Sequence, residues 1–269
     1  MLYAASGYRV QIYDIKPEQV QHALSTIDDQ LIQLAKDGLL RGKLTVNEQR
    51  SLITGTNDFA ECVKDAFFIQ ECVYEDLDLK RGVHAKIDSL CKDDAIIASA
   101  ASALIPSLIS QNLKHKNRFI VCHPTNPPFY APLVEVIPAP WTDPDVVVTT
   151  KQLLAETGQV PVIEGVMSVE DIDKVMSEGL GRRYAFMGPL ETAYLNADGM
   201  YNYRDKYGEM IYRVQCTFGA PRKMEGPILD KIQNELASRI PLDQLNERRK
   251  WQDIRLASLQ KLKNDLDKK

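Results

Sequence analysis

The sequence predicts an α/β protein: a doubly wound parallel sheet followed by an all-helical C-terminal domain. Two observations carry this. Over the first 164 residues, short and nearly continuous apolar runs alternate with amphipathic stretches, the pattern of strands buried on both faces by helices. After Gly165 the strand pattern stops and only helical periodicity remains. The expected division is therefore residues 1–164 for the α/β domain and 165–269 for the helical one.

The elements follow in order. Arg9 to Tyr13 is a short strand ended by Asp14, and Lys16 to Asp37 is a helix with Val20, Leu24, Ile27, Leu31 and Leu34 on one side. Thr45 and Glu48 form a capping-box signal for a short helix. A helix from Phe59 to Ala66 precedes a strand from Phe67 to Cys72, and Glu75 and Asp76 open a helix through Leu90. Ala95 to Ala98 is a strand and Ser102 to Leu113 a helix. Phe119 to Cys122 and Leu133 to Ile137 are strands joined by a loop that Pro124, Pro127, Pro128 and Pro132 keep out of helix. Asp143 to Gly158 is a helix and Val160 to Ile163 the last strand. A second capping box, Ser168 with Asp171, starts the helical part. It continues with Tyr201 to Phe218, Pro227 to Ser238 and Asp243 to Leu266, and a charged tail from Lys261.

Composition excludes several classes. Hydrophobic residues make up 44% and charged residues 26%, as in ordinary globular proteins. A net charge of −4 argues against nucleic acid as partner. No apolar run reaches membrane-spanning length, and Met1 to Val10 does not read as a secretory signal. The five cysteines show no paired spacing and read as free thiols of a reducing compartment, so a cytoplasmic protein is expected. Neither the cysteines nor the four histidines have metal-ligand spacing, and no metal is expected.

The candidate chemistry centres on the stretch from Arg118 to Val136. His123 stands at the end of one strand and Glu135 inside the next. An unpaired carboxylate is costly in a strand interior, and His123 is its nearest candidate partner. A histidine oriented by a carboxylate has the geometry of a general base, while a histidine before proline also reads as a plain loop residue. Asp14 reads either as a cap for the helix after Lys16 or as the acidic residue that holds a ribose hydroxyl. The glycine fingerprint expected about 20 residues before such an aspartate has no room here.

Together these residues resemble the lambda-crystallin, or L-gulonate 3-dehydrogenase, branch of the 3-hydroxyacyl-CoA dehydrogenase superfamily. The stretches are Val10 to Asp14, Ile69 to Asp76, Ser102 with Leu104 to Ser107, His123 to Pro128, Pro132 to Glu135, Asp171 to Gly181 and Arg183 to Glu191. The resemblance implies a Rossmann-like NAD-binding domain, a dehydrogenase oxidising L-gulonate or a similar 3-hydroxy acid, and a homodimer in the full-length family form. The alternatives are a 3-hydroxyacyl-CoA as substrate, and a non-catalytic crystallin-like protein, since the phosphate cradle and one active-site helix are absent. It implies His123 as the catalytic base, Glu135 as the carboxylate orienting it, and Ser102 as a hydrogen-bond partner of the reacting oxygen. Asp14 matches the adenosine-ribose acceptor, and Glu75 and Lys80 match positions near the nicotinamide ribose. Arg183 is the candidate for a substrate carboxylate, since a guanidinium binds that group bidentately. Its alternatives are a cap on the helix from Asp171, or the neighbouring Arg182 in the same role.

Two family features are missing. One is the opening strand and glycine-rich turn, and the chain starts where the helix after that turn would end, at Met1 to Gly7. In the doubly wound order the first strand is central, so strands that should share it are expected to lose their common neighbour. Loss of the turn also removes backbone N–H groups that cradle pyrophosphate, so weak NAD binding is expected. The other missing piece is a long helix, with an active-site asparagine, between Glu164 and Ser168.

Overall fold

The computed structural model describes residues 1–163, 168–219 and 226–266. The expected gap between Glu164 and Ser168 thus falls at positions outside the described residues. The chain forms two compact units, Met1–Met210 and Ile211–Lys269.

In the first unit the elements run α1 (Leu2–Ala5), β1 (Val10–Tyr13), α2 (Pro17–Lys36), α3 (Val46–Ser51), β2 (Ile53–Thr56) and α4 (Phe59–Lys64). They continue with β3 (Phe68–Glu71), α5 (Leu77–Leu90), β4 (Ile96–Ser99), α6 (Pro106–Ser110), β5 (Phe119–Pro124) and β6 (Leu133–Pro138). Then come α7 (Pro144–Glu156), β7 (Val160–Ile163), α8 (Val169–Lys174), a π-helical turn (Val175–Leu180), α9 (Gly181–Tyr184), α10 (Pro189–Asn196) and α11 (Met200–Cys216).

Both expected capping boxes form. Thr45 N donates to Glu48 Oε2 at 2.7 Å, and Ser168 Oγ accepts from Asp171 N at 3.1 Å. The helix expected from Ser102 begins only at Pro106, because the residue before a proline is pushed to extended backbone, as Ile105 is.

The sheet is split. Among the described residues β1 pairs only with β2, while β3-β4-β5-β6-β7 form a five-stranded sheet. β3, β4 and β5 are parallel, β5 and β6 antiparallel, and β6 and β7 parallel. Among the described residues β1 and β3 share no neighbouring strand, as the sequence led us to expect. The antiparallel β5–β6 pair is the return of the chain that sets His123 beside Glu135.

Alternation along the strands builds a core on each face. Ile97, Phe119 and Val121 pack with Val63, Ile87 and Ile109. Ile96, Ile120 and Cys122 pack with Val134, Val136, Val146 and Leu154. The π-helical turn lies close on β6: a Cβ at Gly179 would stand 2.7 Å from Leu133 Cδ2. A side chain at position 179 would make Leu133 shift, and the close approach brings α9 towards the loop after β5.

The second unit contains the end of α11, α12 (Pro227–Arg239) and α13 (Leu245–Leu266). In α13 the Trp251 ring is flanked by the guanidiniums of Arg248 and Arg255 at 3.7 and 3.6 Å from its centroid. Among the described residues no helix is long and apolar enough to cross a membrane.

Candidate active site

His123 and Glu135 face each other across β5 and β6, each other's partner in the antiparallel register. Side chains directly opposite on one face of such a pair are neighbours. Here the imidazole Nδ1 lies 2.6 Å from Glu135 Oε2. Both side chains keep about a third of their surface, 29% and 31%. Among the described residues Nε2 has no hydrogen-bond partner, so it is the nitrogen open to a ligand.

Ser102 is exposed on the loop after β4. Its backbone N–H and that of Ala103 donate to Glu75 Oε1 at 3.0 and 2.8 Å. Glu75 therefore holds the serine loop in place. No contact between the Ser102 hydroxyl and His123 occurs among the described residues.

Lys80 differs from its expected position. It is fully buried, and its ammonium meets Glu71 Oε1 and the Val73 carbonyl at 3.0 Å each, with Glu75 Oε2 at 3.7 Å. Its donors are spent inside the protein, so it supports Glu75 from beneath and is not presented to a cofactor. Glu71, which the sequence reading did not single out, is the hub. Its carboxylate also accepts from Ser99 Oγ at 2.6 Å and lies 2.9 Å from His84 Nε2, all buried. Burial pushes the Glu71 carboxyl up. Hydrogen bonds from His84 and Ser99 and the charges of His84 and Lys80 outweigh it and hold the group down at about 2. The rule that exposed Glu135, a carboxylate in an apolar strand, applies equally to Glu71.

Asp14 is exposed just after β1, and its Oδ1 accepts from Lys16 N at 2.8 Å. This is a local turn, and the N-cap of α2, Lys16, makes no side-chain cap. The second carboxylate oxygen has no partner among the described residues.

Arg183 does not cap α8. Its Nη1 donates to the Asn126 carbonyl at 3.1 Å, and its Nε is buried without a partner among the described residues. Arg182 pairs with Glu178 and points its Nη1 at the Tyr130 carbonyl, 3.5 Å away. Arg41, also unforeseen, donates to the Phe129 carbonyl. Its own burial and the nearby charge of Arg182 lower its pKa. Three arginines thus hold the loop that follows His123.

Asp14 keeps one carboxylate oxygen without a partner among the described residues after β1, and Glu75 and Ser102 meet on the loops after β3 and β4, so these residues could hold the two ends of a dinucleotide. Between them the described residues supply no glycine-rich turn for the pyrophosphate.

Fold and site define a class, the NAD-dependent dehydrogenases with a doubly wound sheet. Residues 1–166 match the model of the 3-hydroxyacyl-CoA dehydrogenase NAD binding domain, and residues 153–225 that of its C-terminal domain. The chain belongs to the 3-hydroxyacyl-CoA dehydrogenase family, and is an NAD-dependent oxidoreductase. It is 40% identical to lambda-crystallin of Oryctolagus cuniculus over 294 positions, covering 99% of this chain and 92% of that protein. That span exceeds the 269 residues of the chain, so the relative carries residues within it that have no counterpart here. It is 29% identical to an L-carnitine dehydrogenase of Pseudomonas sp over 95% of this chain and 86% of that one. The fold is shared with (S)-3-hydroxybutyryl-CoA dehydrogenase from Ralstonia eutropha (TM-score 0.60, 23% identity), over 79% of this chain and 87% of that one.

Proposed function

We propose that this enzyme oxidises the hydroxyl of a 3-hydroxy acid of the L-gulonate class to the keto acid, with His123 as base. The observation that carries the reading is the 2.6 Å His123–Glu135 contact, with the opposite imidazole nitrogen open. A carbinol carbon gives up hydride only as its hydroxyl loses a proton, so a base must touch that oxygen. His123 Nε2 takes this proton, and Glu135 holds the ring and balances the imidazolium charge. NAD, when bound, supplies the hydride acceptor. Ser102 donates to the reacting oxygen from the loop that Glu75 fixes. Asp14 and Glu75 contact the cofactor, and Lys80 positions Glu75. Arg183 holds the substrate carboxylate with the guanidinium donors that the Asn126 carbonyl leaves free.

The same reading assigns cofactor binding to residues 1–164 and the helical half to 165–269, in a cytoplasmic homodimer. The alternative substrate is a 3-hydroxyacyl-CoA, which the family model favours. An acyl chain wants an apolar channel, whereas the arginines at the loop after His123 suit an acid. NADH formation with L-gulonate and with (S)-3-hydroxybutyryl-CoA, at saturating NAD, separates the two. Preference for L-gulonate is expected, and preference for the thioester would overturn the substrate assignment.

A further inference from the structure

The loop between β5 and β6 has more acceptors than donors. Pro124, Pro127, Pro128 and Pro132 carry no N–H group, yet every residue of the loop carries a carbonyl. Within the loop the Pro127 carbonyl accepts from Tyr130 N at 3.0 Å and from Ala131 N at 2.9 Å. The carbonyls of Asn126, Phe129 and Tyr130 are faced by guanidiniums instead, from Arg183, Arg41 and Arg182 respectively. Arginine suits that task, since it carries five donors and no acceptor.

Arg41 differs from the other two in its origin. Arg182 and Arg183 belong to α9, whereas Arg41 stands between α2 and α3, in the stretch that joins β1 to β2. Its backbone is anchored there. The buried Gln49 of α3 donates to the Arg41 carbonyl at 2.7 Å and to the Leu44 carbonyl at 2.9 Å. Gly42, at φ +75°, lies against the Ala5 carbonyl, where a Cβ would come within 2.1 Å. From this anchor the side chain crosses to other elements. Its Nη1 lies 3.5 Å from where a Cβ would stand at Gly158, in the turn between α7 and β7. Its Nη2 donates to the Phe129 carbonyl, and the guanidinium lies over the Phe129 ring, 4.9 Å from the centroid. Among the described residues no carboxylate pairs with Arg41, and Arg182 repels it. The carbonyl and the ring of Phe129 are therefore what hold this guanidinium beside a like charge.

We propose that Arg41 is a positioning residue of the dehydrogenase reaction: it fixes the loop after His123 at Phe129, so that Asn126 stays on Arg183 and the substrate site keeps its wall. The inference rests on the function proposed above. His123 and Glu135 do not depend on Arg41, because the β5–β6 register sets their contact. Asp14, Glu75 and Ser102 lie outside the loop. Loss of the Arg41 hold therefore weakens binding of the hydroxy substrate and leaves proton transfer and cofactor contacts as they are.

The test compares the wild type with Arg41→Met, Arg41→Lys and, as a control at an exposed neighbour, Lys43→Ala. Methionine keeps an apolar stem and removes every donor, whereas lysine keeps a charged donor for the carbonyl and the ring. The readouts are steady-state kinetics with L-gulonate and with (S)-3-hydroxybutyryl-CoA, and amide hydrogen exchange at Tyr130 and Ala131. In Arg41→Met, KM for the substrate that the wild type prefers should rise by about tenfold, with kcat within about threefold and KM for NAD constant. Exchange at Tyr130 and Ala131 should quicken by about tenfold. Arg41→Lys should restore most of both, and Lys43→Ala should match the wild type. Phe129→Leu removes only the stacked ring and should raise the same KM by about threefold, a test that stands even where Arg41→Met does not fold. A fall in kcat with KM unchanged, a parallel rise in KM for NAD, or unchanged exchange at Tyr130 and Ala131 would overturn the inference. Turnover of neither substrate by the wild type would overturn the proposed function and this role with it. Wild-type turnover with an unchanged KM in Arg41→Met would overturn this role alone.

Discussion

His123 and Glu135 are register partners on adjacent antiparallel strands, and the short contact between them follows from that pairing. The loop between β5 and β6 returns the chain so that a carboxylate otherwise costly inside a strand becomes the support of an imidazole. Glu135→Gln keeps the shape and removes the charge. It should lower kcat by about 10²–10⁴-fold with little change in KM, which steady-state kinetics will measure. An unchanged kcat would remove Glu135 from the mechanism.

Arg183 offers the clearest test of substrate class. Arg183→Lys keeps the charge but loses the planar fork. KM for L-gulonate should rise by about tenfold, while KM for NAD stays constant. A constant KM for L-gulonate would rule out the carboxylate contact.

The buried hub at Glu71 makes a prediction about acid stability. Its folded pKa of about 2 lies below the ordinary carboxylate value of 4.5, so between these values the unfolded chain binds more protons. The stabilisation is complete above about 4.5 and is lost as pH falls towards 2. Circular dichroism across that window should show unfolding that Glu71→Gln makes shallower. Lys80→Met strands the carboxylate and should cost about 3–5 kcal/mol in denaturant unfolding at neutral pH.

The incomplete cradle bears on the cofactor. Among the described residues Asp14 is in place without a glycine-rich turn beside it, and NAD should bind this chain more weakly than about micromolar in calorimetry. Asp14→Ala should weaken it further. Micromolar or tighter binding would mean that other groups hold the pyrophosphate.

Much of the site was legible because local chemistry demanded it. The capping boxes at Thr45 and Ser168, the strand ending at His123 and the need of Glu135 for a partner all follow from short-range rules. β2 was not foreseen, because Ile53-Thr-Gly-Thr lacks an apolar run. Its place depends on tertiary packing: a Cβ at Gly55 would meet Val20 Cγ1 at 2.4 Å, so the strand lies hard against α2. The burial of Lys80 was equally hidden, since it depends on three acceptors drawn from β3 and the loop after it. Arg41 is distant in sequence from the loop it holds and carries no local signal.

The most direct measurement of the central claim is NADH formation from L-gulonate by the wild-type chain and by His123→Asn, both at saturating NAD and with their folds matched by circular dichroism. The account predicts turnover by the wild type and a loss of about 10²–10⁴-fold in the variant. Equal rates for the two would contradict it.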